Sequence, residues 1–190
     1  VLLADTGAAV QQALRLLEST ATEWGMQLNY GKTVVVRFGG DGAAPAELQL
    51  AGGTVKTNTE FRYLGSLTVH SGQVEQELSR RLSLAGLVVS SLRTRVFLDR
   101  GVSLSSKLRI YKAVVLPTLL YGAAESWALT EKQLRRLDVF HNNCLRSMLG
   151  VRLRDASSIS NRQLYAETAS GQLRLLLRMH RLRWLGHVGR

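Results

Sequence analysis

The sequence predicts an α+β fold, in which a small antiparallel sheet with one helix is followed by an all-helical region. Near the N-terminus, apolar residues recur at helical spacing and then give way to short extended runs that include a valine-rich stretch. Beyond Gly72, apolar positions follow alternating steps of three and four residues, which is the stripe of a packed helix. We therefore expect two parts, residues 1–70 and residues 71–190.

The first part begins with an amphipathic helix, for which Thr6 is a suitable N-cap and Gly25 a suitable stop. Short extended runs follow, with a bend at Gly31 and a hairpin signal at Gly52-Gly53. A loop rich in glycine and alanine, residues 39–46, interrupts them. The extended runs are residues 26–30, 33–38, 47–50, 54–57 and 61–69.

The second part contains the signals of successive helices. In chain order they are an apolar stripe over residues 74–96, an N-cap at Ser103, a kink or restart at Pro117, a capping box at Thr130 and Gln133, and a stop at Gly150. A final helix over about residues 172–185 carries arginines on one face and apolar residues, including Trp184, on another. An apolar inner stripe with a basic outer face suits a helical grip on nucleic acid.

The positive net charge of the chain, +11 in total, comes from residues 61–190. Residues 1–60 hold four basic and six acidic side chains, whereas residues 61–190 hold 21 basic and eight acidic ones. The 20 arginines outnumber the five lysines, which suits forked contacts with phosphate. This pattern indicates a polyanionic partner, with nucleic acid as the first candidate. A solvated helical surface in an arginine-rich sequence is the alternative.

The single cysteine, Cys144, has no partner for an internal disulfide, so we expect it to pack in the core. A reducing compartment follows as the expectation, intracellular and either nuclear or cytoplasmic. The apolar stretch around residues 113–121 is shorter than the roughly 20 residues that span a bilayer, so no membrane partner is expected. Because the chain starts at Val1 without a signal pattern, we expect it to be part of a longer reading frame.

Six segments carry a recognisable pattern: Val1–Thr6, Gly25–Thr33, Phe61–Ser66, Leu119–Gly122, Cys144–Arg146 and Arg183–Val188. In this order and spacing they resemble the reverse transcriptases of non-long-terminal-repeat (LINE-type) retrotransposons. The first three are similar to the stretch after the family's catalytic Tyr/Phe-Ala-Asp-Asp turn, to its motif D and to its motif E. The resemblance covers nearly the whole chain. It implies that residues 1–70 are the C-terminal part of the palm and residues 71–190 the thumb and connector.

The resemblance also implies that the parent protein is an RNA-directed DNA polymerase that uses Mg²⁺. Polymerases hold two metal ions with carboxylates, and the family's metal-binding aspartates would lie upstream of Val1. Asp5 follows the active turn and is read as a turn or capping residue. This chain should then hold no metal and be inactive alone, while it contributes a primer grip and binds the RNA/DNA template–primer duplex. Nothing in the sequence indicates an oligomeric state.

Lys32 matches the motif D lysine, which in the wider polymerase family approaches the triphosphate and protonates the departing pyrophosphate. A positioned general acid contributes roughly 10²–10⁴ in rate. By resemblance, Phe61, Tyr63, Leu64 and Gly65 would form the primer grip, with the glycine letting the backbone approach a sugar–phosphate. The alternatives stay open: Lys32 as a solvent-facing turn residue, and the two aromatic rings as parts of a core.

Seven basic residues of the helical part are candidates for phosphate contact along the duplex: Arg80, Arg81, Arg93, Lys107, Arg174, Arg178 and Arg181. Each contact should steepen the log–log salt dependence of binding by roughly 0.9 on duplex DNA, and any single one has plain surface charge as its alternative. His180 and His187 lack cysteine partners, which favours packing or capping over a metal site. Two rival functions remain: a stand-alone basic helical nucleic-acid-binding module, and a decayed or repurposed element remnant that acts through protein contacts.

Overall fold

The computed structural model describes residues 1–39, 47–72, 74–122, 127–151 and 159–190, and it confirms the α+β class. Most of the predicted loop at residues 39–46 lies outside the described residues. Two compact units divide the chain: Val1–Tyr63 with Leu67–Gln73, and Leu64–Ser66 with Val74–Arg190. Their assignment to palm and thumb stays a prediction.

In chain order, the described elements are α1 (Gly7–Glu23), β1 (Val34–Val36), β2 (Glu47–Gln49), β3 (Thr54–Asn58), β4 (Glu60–Tyr63), β5 (Ser66–Val69), α2 (Glu75–Leu92), α3 (Leu104–Ile110), α4 (Leu116–Leu120), α5 (Glu131–Met148), α6 (Asn161–Glu167) and α7 (Leu173–Val188). Two π-helical turns, Arg93–Phe97 and Tyr111–Val115, follow α2 and α3.

Helix α1 begins and ends where the sequence predicts. The Thr6 hydroxyl accepts a hydrogen bond from the Ala9 amide at 3.1 Å, which satisfies one of the free amides at the helix start. Gly25, just beyond the helix, has a φ of 68°, the left-handed conformation that commonly ends a helix. Leu14 is the buried apolar residue of this helix. The amphipathic pattern alone was therefore enough to find it.

A buried carboxylate ties α1 to the turn between β2 and β3. Glu18 accepts hydrogen bonds from the backbone amides of Ala51 at 3.0 Å and Gly52 at 2.8 Å, and from the Tyr30 hydroxyl. These bonds, with that of Tyr30 first, hold the pKa of Glu18 below its ordinary value. A Cβ atom on Gly52 would lie 2.5 Å from the Tyr30 hydroxyl oxygen, so a larger residue there would have to displace the Tyr30 hydroxyl.

The three-stranded sheet has the order β1-β3-β2 and differs from the expected antiparallel sheet in one pairing. The β2–β3 hairpin is antiparallel, and its Leu50 amide donates to the Gly53 carbonyl at 2.9 Å, as the glycine pair predicted. Strand β1 pairs with β3 in parallel, with Val34 opposite Lys56. This follows because β2 runs opposite to β1 and the hairpin reverses the chain again before β3.

The extended run predicted at residues 26–30 is wrong, since no strand forms there. The backbone carbonyl of Asn29 instead accepts hydrogen bonds from the amides of Lys32 at 3.1 Å and Thr33 at 2.9 Å. The Asn29 side-chain oxygen also accepts from the Lys32 amide at 3.0 Å. Local bonds of this kind let an asparagine turn compete with a strand ladder. Strand β1 consequently starts at Val34, later than expected.

The helical unit has one core, built around α2, α4 and α5. Its fully buried side chains include Leu78, Phe97, Tyr111, Val115, Leu119, Leu137, Leu145, Leu164, Leu173 and Leu177. Cys144 packs in this core as predicted, and burial raises the pKa of its thiol to about 12. No helix in the described ranges is long and apolar enough to cross a bilayer.

Pro117 restarts the helix as expected, and the structure shows how. A proline cannot donate the usual bond and its ring crowds the carbonyl four residues earlier. The preceding turn, Tyr111–Val115, widens into a π-helical turn in which the Leu116 amide donates to the Tyr111 carbonyl. Helix α4 then begins with the proline in its first turn. The break is thus accommodated without ending the chain of helical turns.

The capping signals of α5 are confirmed. Thr130 and Gln133 form a reciprocal capping box, and Gly150 follows the helix with a φ of 74°. The same kind of box, Ser160 with Gln163, starts α6, a short helix that the sequence interpretation missed. Helix α7 runs to Val188 and buries only residues of its first half, which explains why Trp184 is 52% exposed rather than part of the buried stripe.

A buried polar pair lies inside the helical core. Tyr111 and His141 share a hydrogen bond of 2.7 Å at His141 Nδ1, and His141 Nε2 is 3.1 Å from the Gly171 carbonyl oxygen. A carbonyl can only accept, so Nε2 carries the proton and Nδ1 accepts from the Tyr111 hydroxyl. Burial lowers the pKa of His141, so the neutral ring is the form that this core holds.

Candidate nucleic-acid interface

The turn between β4 and β5 consists of two residues with positive φ. Leu64 has a φ of 47° and Gly65 a φ of 83°. Positive φ at both central positions is the requirement of a type I′ hairpin turn, whose twist matches that of the flanking strands. Glycine adopts such angles readily, whereas a leucine rarely does. The turn is therefore well defined and contains one strained residue.

The four residues predicted to form a primer grip differ in exposure. Leu64 is 75% exposed and Tyr63 is 48% exposed, while Phe61 and Gly65 are half-buried. Leu64 and Tyr63 can thus each be reached by a ligand. The Phe61 ring is partly packed, in line with the alternative that a ring of this segment serves a core. The primer-grip role itself stays a prediction.

The carbonyl oxygen of Gly65 accepts hydrogen bonds from two neighbouring arginines of α2. Arg80 Nη1 donates to it at 3.1 Å and Arg81 Nη2 at 2.6 Å. Glu77 accepts from both guanidinium groups, at 3.2 Å from Arg80 Nη1 and 2.6 Å from Arg81 Nε. Charge-assisted bonds of this kind are stronger than neutral ones. The turn is therefore fastened directly to α2.

Burial distinguishes the Glu77–Arg81 ion pair from an ordinary surface ion pair. Glu77 is 2% exposed and Arg81 is 5% exposed. A buried pair is tolerated only when the geometry is good and further hydrogen bonds satisfy both partners. The Gly65 carbonyl supplies one such bond to Arg81. The Gly65 carbonyl thus gives the Arg81 guanidinium a hydrogen-bond acceptor, which lowers the cost of burying its charge.

Tyr121 closes the arrangement from the end of α4. The Arg81 guanidinium carbon lies 5.0 Å from the centre of the Tyr121 ring, a cation–π distance. A Cβ atom on Gly65 would lie 3.2 Å from Tyr121 Cε1, a tight contact, and the φ of Gly65 by itself favours glycine. We refer to Glu77, Arg80, Arg81 and Tyr121 as the Gly65 clamp.

The clamp was not found from the sequence. Glu77 and Arg81 are four residues apart on one helix face, a spacing that indicates an ion pair. That signal was present, but nothing local shows that the pair would bind a carbonyl 16 residues away. From the sequence alone, Arg81 is predicted to contact phosphate instead.

Two of the seven predicted phosphate contacts are buried. Arg81 is held by the clamp, and Lys107 is 7% exposed. A phosphate would have to displace Arg81 from Glu77 and from the Gly65 carbonyl. The structure therefore favours a structural role for Arg81, and phosphate contact by either residue stays a prediction that the burial opposes.

Two further members of the set already have partners within the protein. Arg174 donates from Nε and Nη2 to Asp138 Oδ2, both at 3.2 Å. Arg181 donates to the backbone carbonyl of Trp127. Both side chains remain partly exposed. These bonds join α7 to α5 and to the segment before α5.

Two of the three remaining members are the most accessible of the set. Arg93, in the first π-helical turn, and Arg178, on α7, are exposed, while the Arg80 side chain is 27% exposed. An exposed guanidinium can reach a phosphate without giving up an internal contact. Arg93 and Arg178 are therefore the best-placed residues of the predicted set.

Lys32 lies in the turn before β1, within the first compact unit. Its backbone amide is bound by Asn29, and its side chain is exposed. This placement fixes the backbone and leaves the ammonium group accessible. It agrees with both the catalytic interpretation and the alternative of a solvent-facing turn lysine, so the role of Lys32 stays a prediction.

The described residues do not fit the Mg²⁺ that the resemblance implies for the parent enzyme. Across the described ranges, no group of three or more His, Cys, Asp or Glu side chains is arranged to hold a metal ion. Guanidinium groups, an ammonium group and a fixed backbone turn are what these residues present to a ligand.

Two comparisons relate the chain to proteins of mobile elements. It is 26% identical over 201 residues to an uncharacterised transposon-derived protein of Caenorhabditis elegans, which covers the whole of this chain and 68% of that protein. It is 25% identical over 150 residues to an RNA-directed DNA polymerase from the mobile element jockey of Drosophila funebris, which covers 75% of this chain and 16% of that polymerase. Neither a protein-family model nor a solved structure matches the chain. The sequence thus has distant similarity to a transposon-derived protein and to a mobile-element polymerase.

Proposed function

We propose that this chain is the C-terminal palm and thumb of a reverse transcriptase from a non-long-terminal-repeat retrotransposon. The observation that carries the proposal is the β4–β5 turn, which exposes Leu64 and fixes Gly65 through the clamp. Distant similarity to the jockey polymerase supports it. In this role the turn holds the primer end, and exposed arginines bind the backbone of an RNA/DNA duplex.

The charge distribution supports a duplex as the ligand. Residues 61–190 carry 21 of the 25 basic side chains, and Arg93 and Arg178 are exposed on different helical elements of that region. Contacts of this type neutralise phosphates and release counterions without reading the base sequence. We therefore expect binding that depends on duplex geometry and on salt rather than on sequence.

Catalysis belongs to the longer parent protein in this proposal. The chain spans 16% of the jockey polymerase, and the metal-binding aspartates would lie in the part that precedes Val1. There, Mg²⁺ would be held by that preceding part, and Lys32 would supply charge and a proton near the departing pyrophosphate. A lysine ammonium group is charged at neutral pH, so it can perform both tasks. Alone, the chain should bind a primer end without extending it.

Binding to a labelled RNA/DNA hybrid with a recessed DNA 3′ end tests the proposal, with fluorescence anisotropy at several salt concentrations. Arg93→Gln and Arg178→Gln should each lower the log–log salt slope, by roughly 0.9 if the hybrid behaves as duplex DNA. Arg162→Gln, at an exposed position on α6 outside the predicted set, is the matched control and should leave the slope unchanged.

The same assay separates the rival functions. Stronger binding to the recessed end than to a blunt hybrid, lost in Leu64→Ala, supports a primer grip. Equal binding to both ends favours a stand-alone basic helical module and contradicts the grip. Absence of binding even at low salt favours a remnant that acts through protein contacts, and it contradicts the proposal as a whole.

A further inference from the structure

Leu64 occupies a backbone conformation that its side chain does not favour. At the first central position of a type I′ turn, asparagine, aspartate and glycine are the preferred residues. Leu64 instead has a φ of 47° and exposes 75% of its surface, so burial does not compensate for the strain. A strained conformation persists only where the surroundings determine it, and such sites are frequently functional.

The side chains that contact Gly65 in this turn belong to the helical unit. The tip, Leu64–Ser66, is part of that unit together with α2 and α4. Arg80 and Arg81 hold the carbonyl of Gly65, and the Tyr121 ring lies against Gly65 on the side where a Cβ atom would point. The clamp therefore fixes the orientation of the Gly65–Ser66 peptide group, one peptide beyond Leu64 in the same turn.

Three parts of the Arg81 side chain have contacts. Its Nε donates to Glu77, its Nη2 donates to the Gly65 carbonyl, and the guanidinium carbon lies over the Tyr121 ring. The planar fork of arginine makes two directed bonds and one stacking contact at once, which a lysine cannot do. The geometry therefore uses the shape of Arg81 and not only its charge.

We propose that Arg81 is a positioning residue, which acts through Gly65 to present the Leu64 side chain to the terminal nucleotide at the 3′ end of a primer. The proposal rests on the proposed function and adds to it the residue that sets the turn. It replaces the interpretation of Arg81 as a phosphate contact. Glu77 neutralises and orients Arg81, and the Tyr121 ring lies 5.0 Å from the Arg81 guanidinium carbon.

The positioning role predicts that the salt slope of binding and the interaction with the primer end respond differently to substitution of Arg81. Loss of a phosphate contact lowers the salt slope of binding. Loss of a positioning contact leaves the slope unchanged and reduces only the interaction with the primer end. Arg81→Lys keeps the charge and removes the fork, so it distinguishes the two roles.

Photocrosslinking measures the interaction with the primer end directly. The probe is an RNA/DNA hybrid whose DNA strand ends in 4-thiothymidine at a recessed 3′ terminus, with the crosslinked residue mapped by mass spectrometry. We expect the crosslink at Leu64 in the unaltered chain. In Arg81→Lys its yield should fall by about tenfold at unchanged salt slope, because lysine lacks the fork that holds the carbonyl.

A second pair of variants tests the clamp without changing Arg81, in case Arg81→Lys folds poorly. Tyr121 is 54% exposed, so its replacement should not unfold the core. Tyr121→Ala removes the ring beside Arg81 and should lower the crosslink, whereas Tyr121→Phe keeps the ring and should retain it. Val89→Ala, which loses packing elsewhere on α2, controls for reduced stability and should retain it as well.

Hydrogen exchange at the amides of Gly65 and Ser66, measured without ligand, tests the positioning role of Arg81 separately from the proposed function. Faster exchange at these amides in Arg81→Lys than in Val89→Ala supports the clamp as the determinant of the turn. A lower salt slope in Arg81→Lys, or an unchanged crosslink with unchanged exchange, overturns the positioning role. If the unaltered chain gives no crosslink at all, the proposed function fails, and the exchange data then decide the role of the clamp alone.

Discussion

Replacing Leu64 by asparagine should stabilise the β4–β5 turn and weaken its contact with nucleic acid. The left-handed conformation costs an ordinary residue about 1–2 kcal/mol, and an Asn-Gly pair is the preferred sequence for this turn. Leu64 is 75% exposed, so the substitution loses only about a quarter of the 1.5–3 kcal/mol that full burial of a leucine is worth, roughly 0.5 kcal/mol. The expected balance is a gain of about 0.5–1.5 kcal/mol in the free energy of opening the turn.

Native-state hydrogen exchange at Ser66 is the suitable assay for this gain. The chain contains two compact units, so a single global unfolding transition need not report on the turn. Leu64→Ala is the control, because it removes the side chain without relieving the backbone. Both variants should lose the crosslink to the primer end, but only Leu64→Asn should slow the exchange of Ser66. Faster exchange in Leu64→Asn would refute the argument from strain, and a retained crosslink would refute the contact by the leucine side chain.

Three further outcomes follow from the buried polar groups. Burial lowers the pKa of His141 below its ordinary value of 6.5, so the helical unit should lose stability as the pH falls through about 6.5 toward the lowered folded pKa; a pH-independent urea midpoint between pH 8 and 5 would contradict this. Glu77→Gln leaves Arg81 buried without its carboxylate and should cost about 3–5 kcal/mol in urea unfolding, where a loss below 1 kcal/mol would argue against a buried pair. Tyr30→Phe removes the largest cause of the lowered Glu18 pKa, so a carbon-detected NMR titration should find that pKa raised, and an unshifted titration would count against the hydrogen bond.

Local signals predicted the helices well because each signal acts within one helical turn. Thr6, the capping box at Thr130 and the restart at Pro117 all satisfy or remove backbone hydrogen bonds within a few residues. The apolar periodicity of residues 74–96 likewise needs only the helix itself. Residue Ser160 carried the same capping signal for α6, so that helix was within reach of the sequence.

The two errors in the sheet region have different causes. Nothing in residues 33–38 shows that β1 would pair with β3 across more than 20 positions and in parallel. Strand pairing depends on which chain segments meet in the folded protein, and a pattern within one segment does not contain that information. The error at residues 26–30 is local, because the Asn29 turn uses backbone and side-chain bonds that a strand would need.

The arginines show the same limit for function. Net charge indicates a polyanionic partner, but it assigns all basic residues the same role. The structure divides them: Arg81 and Arg174 are bound by carboxylates of their own unit, whereas Arg93 and Arg178 face solvent. Their substitutions should therefore have different signatures, a changed salt slope for the exposed pair and a displaced or loosened structure for the bound pair. The number of basic residues available to a duplex is therefore the total less those in internal ion pairs. A guanidinium that is bound inside the protein cannot release a counterion from a duplex.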